Sequence, residues 1–534
     1  MKRTRVARLG AGLLAASLVA GACGSDDGGQ AATGNTIDSE VKDALSGSAT
    51  TAATTATTAE VPTSMEEWEA LWAEQRAAVV ARAEAEGWGK SADGNTVTGP
   101  AGFTIDLSAC PAGWSDTEGL TDTTIKIGQA IAQSGTFADY GNFARGIQTI
   151  FDHYASEGMF TDSEGKDRSV DYVTKDDGYD SARTIPVVDE LLDSEKAFAI
   201  WTLGSPSTLK VYDKINQRCV PHPLAMTAHP AWGDPVHHPW TTGAPNPAYS
   251  TEAVLWGGFI EDRIDSEFGG QVTVASLVMN NDFGKVYDQT FKTYIEESEI
   301  LRGKVEYVTE TIEAQAPTVK DPMTTLASKN PDIFIAMVAA TPCTQAIIEA
   351  AENGMQQNVK YLFQPQTCSG VSFIGKDKVG GDGAAGEGWW IVSPGFKDFK
   401  DANLAEDPFV AWGRGLLEEQ GIDPDTTSKL GEGFGPYGWV MAQSLIIAGQ
   451  LEGGLTRTNL MLALRSFDMT GAHQVPGIRL QMNGNEDGYL NEGSQLLQFD
   501  SAGQEWVPKG EVIDLNGRSQ NCQFDQAAGI CVAY

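Results

Sequence analysis

Six short segments of the sequence carry the side chains that could do chemistry. They are residues 133–141, 204–208, 225–228, 280–284, 339–341 and 364–367, and each follows an apolar run that is typical of a strand. Nearly all of their residues are small, hydroxylic, amide or aromatic. Such residues enclose and hydrogen-bond a small solute, whereas bond-breaking chemistry needs an activated nucleophile, a tuned acid or base, or a metal. We therefore expect a binding site and no enzyme activity.

Three other patterns could indicate metal or cofactor binding or catalysis. Four histidines crowd residues 222–238, but their spacing matches no defined zinc motif. Residues 381–386 read G-x-G-x-x-G without the preceding strand and following helix that a dinucleotide site requires. The Asp176 and Asp177 pair is typical of solvated loop charges. We predict no metal and no cofactor, and we interpret the histidine segment as a loop between two lobes.

From residue 123 onward, β-type runs alternate with amphipathic helical runs. The predicted strands are 124–132, 170–174, 198–203, 224–226, 272–279, 305–309, 333–338 and 359–363, and the predicted helices are 137–157, 181–192, 207–217, 250–264, 284–297, 319–328 and 344–353. This alternation predicts parallel sheets with helices on both faces. The alternating segment is longer than a chain that folds around one hydrophobic core usually is. The predicted fold is α/β, with two doubly wound lobes. Ligands of such sheets bind beyond the carboxyl ends of the strands, where the six polar segments fall.

The first 23 residues, MKRTRVARLGAGLLAASLVAGAC, have a basic start, a short apolar run and small residues before Cys23. This pattern predicts a signal peptide over 1–22 and resembles a lipobox, which implies a lipid on the Cys23 sulfur. The alternative is ordinary secretion with an incidental cysteine. Residues 23–62 contain few large apolar side chains and predict a disordered stalk. We expect the protein on the cell membrane, lipid-anchored and facing the extracellular side.

An N-terminal accessory extension is predicted over 63–120. Its helix, 65–86, begins with a Ser64 and Glu67 capping box and ends at Gly87. We expect this helix to pack on the core, and the alternative is a helix that binds a partner.

Charge and cysteine usage narrow the partners and the compartment. Lys and Arg number 37 against 72 Asp and Glu, so the formal charge is −35, which disfavours nucleic acid and anionic membrane surfaces. Six cysteines besides Cys23 suggest three disulfides in an exported chain, with fifteen possible pairings. Cys522–Cys531 closes a short loop, and Cys343–Cys368 joins two strand ends at one sheet edge. Cys110–Cys219 follows by elimination and would pin the extension to the core.

Five motifs in register carry a resemblance to a known family. IKIGQAIAQSGTFADYG, TLGSPSTL, PLAMTAHP, VASLVMNNDFG and GPYGWVMAQSL resemble the type I periplasmic binding proteins of ABC importers, in the branched-chain amino acid (leucine-binding) group. The resemblance spans about residues 123–507. It implies two lobes joined by three hinge crossovers, a ligand cleft between the lobes, closure on binding, and delivery to an ABC permease.

The resemblance also implies the residues of the site. Ser205, Ser207 and Thr208 match the turn that holds a ligand carboxylate with a hydroxyl and backbone amides, although a simple helix cap is the alternative. Ala225 and Thr227 match the pair that contacts the head group. Tyr140 and Phe283 match aromatic residues of the two lobes.

Two positions depart from the family pattern. Residues 339–341, ending in Thr341, stand where the family has a tyrosine, and Gln366 stands where it has an acidic partner for an α-ammonium. A charge-assisted bond lost at that point is worth about 1.5–3 kcal/mol. We therefore expect an amide, a carboxylate without an amine, or another neutral polar solute, although Asp282 could supply the missing charge.

These observations predict an extracytoplasmic solute-binding lipoprotein that captures a small polar ligand and works as a monomer with an ABC permease. The predicted lobes are 121–245 plus 393–472, and 246–392 plus 473–534. A ligand sensor of the same fold that feeds a signalling partner is the first alternative, and an exported α/β hydrolase is the second.

Overall fold

The structure is a computed structural model that describes residues 61–516, together with residues 41, 44–45, 524–525 and 530–531. Its strands are β1 Gly89–Lys90, β2 Thr96–Thr98, β3 Thr104–Asp106, β4 Thr124–Ile131, β5 Ser169–Asp176, β6 Ala199–Thr202, β7 Val272–Met279, β8 Val305–Ile312, β9 Ile333–Met337, β10 Tyr361–Gln364, β11 Trp390–Ser393, β12 Asp468–Met469, β13 Leu480–Gln481, β14 Gly493–Asp500, β15 Glu505–Asp514, β16 Phe524–Asp525 and β17 Ile530–Cys531.

Two sheets organise the fold. The smaller has three parallel strands in the order β5-β4-β6. The larger has seven strands in the order β15-β14-β11-β10-β9-β7-β8, of which β14 and β15 pair antiparallel and the other five run parallel. The strands β4, β6, β7 and β9 are almost wholly buried, as expected where helices cover both faces of a sheet. The α/β fold predicted from the sequence is confirmed.

The helices are α1 Met65–Glu86, α2 Asn142–Ser156, α3 Ser181–Asp193, α4 Ser205–Gln217, α5 Tyr249–Phe268, α6 Asp282–Glu297, α7 Lys320–Ala327, α8 Thr341–Glu352, α9 Met355–Asn358, α10 Val371–Ile374, α11 Lys376–Val379, α12 Pro408–Glu419, α13 Leu430–Glu432, α14 Val440–Gln450 and α15 Arg457–Arg465. We call β4–β6 with α2–α4 and α12–α15 the small-sheet half, and the seven-stranded sheet with α5–α11 the large-sheet half. Within residues 61–516, no helix is long and apolar enough to cross a membrane.

Two predicted elements differ from the structure. The helix predicted over 137–157 begins instead as a 3-10 turn, Gly135–Gly141, because the Asp176 carboxylate accepts hydrogen bonds from Gln133 N and Ser134 Oγ at 2.8 and 2.6 Å and holds the segment apart from α2. The strand predicted over 224–226 is reduced to one bridge between Met226 and Leu203. The N–H groups of residues 224 and 225 donate to Thr242 instead, at 2.8 and 2.9 Å.

The N-terminal helix α1 packs on the small-sheet half. Ser64 Oγ accepts from Glu67 N at 3.2 Å, and Gly87 ends the helix in the left-handed conformation at φ 66°. Trp72 is fully buried against Trp439, with ring centroids 4.8 Å apart. The helix is therefore part of the core, as the sequence predicts.

The predicted stalk contacts the fold at two described positions. Val41 and Leu45 are buried, and Leu45 O accepts a hydrogen bond from Arg263 Nη2 on α5 at 2.8 Å. Most of the segment 23–62, the signal peptide and Cys23 lie outside the described residues.

Two of the three predicted disulfides are present. Cys110 pairs with Cys219, which ties the extension to the end of α4, and Cys343 pairs with Cys368. The second bond joins the start of α8 to the loop after β10, so it fixes two segments that end at the same sheet edge. The predicted pair Cys522–Cys531 includes Cys522, which lies outside the described residues.

The histidine-rich segment is a packed crossover. His222 is fully buried, and its Nε2 lies 2.8 Å from Thr202 Oγ1. Burial lowers the pKa of His222 and of His229 to about 3. Within the described ranges, no group of three or more His, Cys, Asp or Glu side chains could hold a metal ion.

Candidate functional site

A row of three hydroxyls forms the centre of the candidate site between the two halves. Ser205 Oγ lies 2.7 Å from Thr227 Oγ1, and the neighbouring Thr227 side chain lowers the pKa of Tyr249, against the larger effect of burial. Ser205 begins α4, Thr227 follows the bridge at Met226, and Tyr249 begins α5. All three are buried.

The N-terminus of α4 supplies backbone donors next to this row. The preceding residue, Gly204, has φ 87°, and a Cβ there would lie 2.2 Å from the Tyr179 ring, so only glycine fits. Within residues 61–516, no side chain caps this end of α4. The first N–H groups of a helix have no intrahelical partner, and the helix dipole favours an anion at this end.

Four tyrosines converge on the site from both halves. Tyr140, Tyr179 and Tyr437 belong to the small-sheet half and Tyr249 to the large-sheet half, and the charge of a Tyr249 phenolate would raise the pKa of each of the other three. Burial is the main cause that raises all four pKa values, that of Tyr249 to about 12. These hydroxyls therefore stay protonated at neutral pH and can donate hydrogen bonds.

Aromatic rings form the walls of the site. Phe137 stacks on Tyr179 with centroids 3.7 Å apart, and Phe283 meets Tyr249 edge to face at 5.0 Å. Phe283 is positioned by Asn281, whose Oδ1 accepts from Phe283 N at 3.1 Å and caps α6. Across the cleft, the neighbouring Asn281 side chain lowers the pKa of Tyr179, against the larger effect of burial.

A buried ion pair closes one side of the site. Lys429 Nζ lies 2.5 Å from Glu432 Oε1 and 5.5 Å from the centroid of the Tyr140 ring. It also lies 4.7 Å from the ring of Phe373 in the large-sheet half. The charge of Lys429 is paired with that of Glu432, and Lys429 contacts the site through the ring of Tyr140.

The two halves contact each other at the mouth of the cleft. Thr341 Oγ1, at the start of α8, donates to Thr136 O at 3.2 Å, and Gln315 Nε2 approaches Gly178 O at 3.4 Å. Thr341, predicted as a ligand contact, is exposed and forms part of this closure. Asp282 is also exposed, at the start of α6.

Three predicted residues of the small-sheet half use their polar groups inside the core. Ser207 Oγ lies 2.9 Å from Thr184 Oγ1, and Thr208 Oγ1 lies 2.7 Å from Thr202 Oγ1. Ala225 O accepts from the N–H of residue 227 at 2.7 Å. The structure therefore brings Tyr140, Ser205, Thr227 and Phe283 together, whereas the side chains of Ser207 and Thr208 bond to the protein beneath the site.

Gln366 is held by protein partners behind the aromatic wall. Its Nε2 donates to Pro247 O at 2.9 Å, and its Oε1 accepts from Asn246 Nδ2 at 3.1 Å. Its backbone N–H donates to Glu252 Oε1 at 2.8 Å. The Glu252 carboxyl also accepts from Tyr287 OH at 2.5 Å, so its two oxygens are occupied within the protein.

The sequence reading missed Tyr179, Tyr249 and Tyr437. Tyr179 follows β5, and the sequence predicts a solvated acidic loop at the carboxyl end of that strand. That interpretation is wrong for Asp177, which is fully buried and accepts from Thr184 Oγ1 and Tyr179 N at 2.7 and 3.0 Å. The general rule that ligands bind beyond strand ends pointed to Tyr179. Tyr437 lies in the family motif GPYGWVMAQSL, which marks the segment without marking this residue as a site residue. Tyr249 begins α5, and the sequence carries no comparable signal for it.

A comparison with models of protein families shows which family the chain belongs to. The family model described as periplasmic binding protein matches residues 124–406, which is more than half of the chain. The chain belongs to the periplasmic binding protein family. The resemblance read from the five motifs is thereby confirmed, and the family is extracytoplasmic. No curated protein matches the chain significantly in sequence.

Solved structures of the family share the fold over most of the chain. A branched-chain amino acid ABC transporter protein from Thermus thermophilus with bound valine is 14% identical, with a TM-score of 0.61 over 74% of this chain and 97% of that one. A fatty acid ABC transporter substrate-binding protein from Thermomonospora curvata is 16% identical, with a TM-score of 0.59 over 76% of this chain and 96% of that one. A solute-binding protein from Rhodopseudomonas palustris BisB5, in complex with 3,4-dihydroxybenzoic acid, is 16% identical. Its TM-score is 0.57 over 74% of this chain and 98% of that one.

Proposed function

We propose that this protein captures a small organic carboxylate with an apolar or aromatic body between its two halves and delivers it to an ABC permease. The observation that carries the proposal is the Ser205 and Thr227 hydroxyl pair at the uncapped start of α4. Hydroxyl and backbone N–H donors at a helix N-terminus suit a carboxylate. We propose that the protein binds its ligand without catalysing a reaction and that it works as a monomer.

The surrounding rings support an apolar body on the ligand. Tyr140, Tyr179, Tyr249 and Phe283 present aromatic faces and neutral hydroxyl donors around the hydroxyl pair. Aromatic side chains contribute large buried areas, and a few placed polar groups then fix orientation. The fatty acid and benzoate-type ligands named for two structures of the same fold have this chemistry.

The fixed partners of Gln366 and Glu252 argue against an α-amino acid. An α-ammonium in a buried site requires an acceptor of negative charge. Both oxygens of Glu252 already accept hydrogen bonds from Gln366 N and Tyr287 OH, and the Gln366 amide is bonded to Asn246 and Pro247. A carboxylate without an amine needs none of these groups.

We further propose the domain division expected from the sequence, with one lobe at 121–245 plus 393–472 and the other at 246–392 plus 473–534. The separation of the two sheets along the chain supports it. A lipid on Cys23 would hold the receptor at the cell membrane, where a permease could receive the ligand.

Titration calorimetry with protein freed of co-purified ligand tests the proposed ligand class. The panel contains benzoate, 4-hydroxybenzoate and octanoate as acids, benzamide as the neutral analogue of benzoate, and valine as the amino acid. We expect an acid to bind most tightly. Benzoate should exceed benzamide by about tenfold or more, because hydrogen bonds to a charged group contribute about 1.5–3 kcal/mol.

Two cleft variants and one control locate the binding. Ser205→Ala and Thr227→Val should each weaken the tightest acid by about 10- to 100-fold. One hydroxyl of the pair donates to the other, so one substitution removes the donor to the carboxylate and the other removes the partner that orients it. Thr324→Val changes an exposed threonine on α7 and should leave the affinity unchanged. Valine binding more tightly than every acid, or equal affinities in wild type and both cleft variants, would contradict the proposal.

A further inference from the structure

The backbone of Tyr179, in the wall of the cleft, adopts a left-handed conformation that residues with a side chain rarely take. Its φ is 59°, and its ring stacks on Phe137 with the centroids 3.7 Å apart. The same ring occupies the space that a Cβ on Gly204 would need. A residue in such a conformation persists where the surrounding structure holds it there, and such residues concentrate at functional sites.

The buried carboxylate of Asp177 holds the loop that carries Tyr179. Asp177 is fully buried, and its Oδ1 accepts from Tyr179 N at 3.0 Å. An aspartate that accepts from the N–H two residues further on stabilises a tight turn of the backbone. The other oxygen, Oδ2, accepts from Thr184 Oγ1 on α3 at 2.7 Å. Asp177 therefore fixes the turn at Tyr179 against the helix that follows it.

Thr184 extends this connection to the first turn of α4. Its Oγ1 also lies 2.9 Å from Ser207 Oγ, and both side chains are fully buried. The Thr184 hydroxyl has one proton, and an ionised carboxylate can only accept. With Asp177 ionised, Thr184 donates to Asp177 and Ser207 donates to Thr184. A chain of hydrogen bonds thus joins the start of α4 to the carboxylate that holds Tyr179.

We propose that Asp177 is a positioning residue of the cleft, which sets the places of the Tyr179 ring and of the first turn of α4. The inference rests on the proposed function, because both parts belong to the proposed ligand site. Both oxygens of Asp177 accept from protein donors, so Asp177 acts on a ligand through Tyr179 and Ser207. A site whose walls are fixed before the ligand arrives loses less conformational freedom on binding.

Calorimetric titrations with benzoate, 4-hydroxybenzoate and octanoate test the effect on binding. Asp177→Ala should weaken the tightest of these acids by about tenfold or more, as expected when a group that orients a binding residue is removed. Asp177→Asn should bind within about threefold of wild type, because its amide oxygen can accept from Tyr179 N and its NH₂ group can donate to Thr184 Oγ1. In a Tyr179→Ala background, Asp177→Ala should have a smaller effect than in wild type, since the two residues act through one contact.

Amide hydrogen exchange of the ligand-free protein measures the positioning without a ligand. The peptide that contains Tyr179 should exchange faster in Asp177→Ala than in wild type, because the Tyr179 N–H loses its acceptor. The same peptide should exchange like wild type in Asp177→Asn. If none of the three acids binds the wild-type protein, the proposed ligand class is wrong, and the positioning role is then decided by exchange alone.

Asp162→Ala is the matched control. Asp162 is a second buried carboxylate of the small-sheet half, and its Oδ2 accepts from Arg168 Nη1 at 2.7 Å. It precedes β5, whereas Asp177 follows the other end of that strand. Its removal should lower the midpoint of urea unfolding, because it leaves a buried arginine unpaired. Acid affinity and exchange at Tyr179 should stay at their wild-type values.

Thr184→Val is the second variant, used if Asp177→Ala does not fold as judged by circular dichroism. It cuts the link to Ser207, so it should weaken the tightest acid by about threefold or more and speed exchange at the start of α4. The proposal is overturned if Asp177→Ala binds and exchanges like wild type, or if Asp162→Ala weakens acid binding as much as Asp177→Ala. Wild-type binding and exchange in Thr184→Val would also overturn it.

Discussion

The Glu252→Gln substitution tests whether a buried carboxyl behind the cleft keeps its proton at neutral pH. Glu252 is fully buried on α5, where its oxygens accept from Tyr287 OH and from Gln366 N. Burial raises the pKa of Glu252 from 4.5 to about 8, and the two hydrogen bonds lower it by less. The charge of a Tyr249 or Tyr287 phenolate is absent in this pH range, since burial raises their pKa values above 10.

The sign of the effect follows from proton binding. In the unfolded chain this carboxyl ionises near pH 4.5, whereas the folded protein holds its proton to about pH 8. The folded state therefore binds more protons between these values, and stability falls as the pH rises. The 3.5-unit difference between 8 and 4.5, at about 1.4 kcal/mol per unit, gives an upper bound of about 5 kcal/mol.

Glutamine reproduces the shape of the protonated acid without titrating. We expect the free energy of unfolding of Glu252→Gln to exceed that of wild type by roughly 3–5 kcal/mol at pH 8, and to differ by less than about 1 kcal/mol at pH 5. Urea unfolding with intact disulfides, followed by tryptophan fluorescence from pH 5 to pH 8, measures both. Burial lowers the pKa of His222, His229 and His473 to about 3, and these groups destabilise both proteins equally at acid pH.

A matched control uses the same substitution at an exposed site. Glu306→Gln lies on β8 and should follow the wild-type pH dependence throughout. A difference between Glu252→Gln and wild type that is constant from pH 5 to pH 8, or that is larger at pH 5, would refute the reasoning.

Three further predictions concern the extension, the disulfides and the anchor. Trp72→Ala should lower the free energy of unfolding by about 3–5 kcal/mol, because it removes a buried ring and the hydrogen bond from its Nε1 to Thr470 O. The control Glu74→Ala changes an exposed residue of the same helix and should leave that free energy unchanged in urea unfolding. Replacing both cysteines of Cys110–Cys219 with Ser should cost about 5 kcal/mol, against about 3.5 for Cys343–Cys368, since the sequence separations are 109 and 25; equal losses in denaturant titrations would contradict the loop-entropy argument. Cys23→Ser should release the protein into the medium, and its retention in the membrane fraction would contradict the lipid anchor.

Elements with local signals could be predicted from the sequence. The sequence predicts strand β7 with both of its ends, because the apolar run is bounded by the Gly269 and Gly270 turn and by Asn280. Helix α1 was predicted with both ends for the same reason, since Ser64 and Gly87 mark its termini. Family motifs then placed Ser205 and Thr227, which the structure brings within 2.7 Å.

The rest of the site depends on contacts between distant parts of the chain. Tyr179 and Tyr437 are 258 positions apart in sequence, and each acquires its place only when α2, α4 and the segment before α14 pack together. Which residues at the start of α4 face the ligand also depends on how α4 packs in the fold. It leaves Ser205 on the cleft and turns Ser207 toward Thr184 in the core.

Mass spectrometry of the compound released from denatured, purified protein tests the central claim most directly. The protein is expressed in its natural host, captured by an affinity tag, washed and denatured, and the released small molecules are compared with those from a Ser205→Ala, Thr227→Val double variant. We predict a carboxylic acid with an apolar or aromatic body and no amine, present with wild type and depleted with the variant. An α-amino acid released from wild type, or equal recovery of the acid from both proteins, would contradict the account.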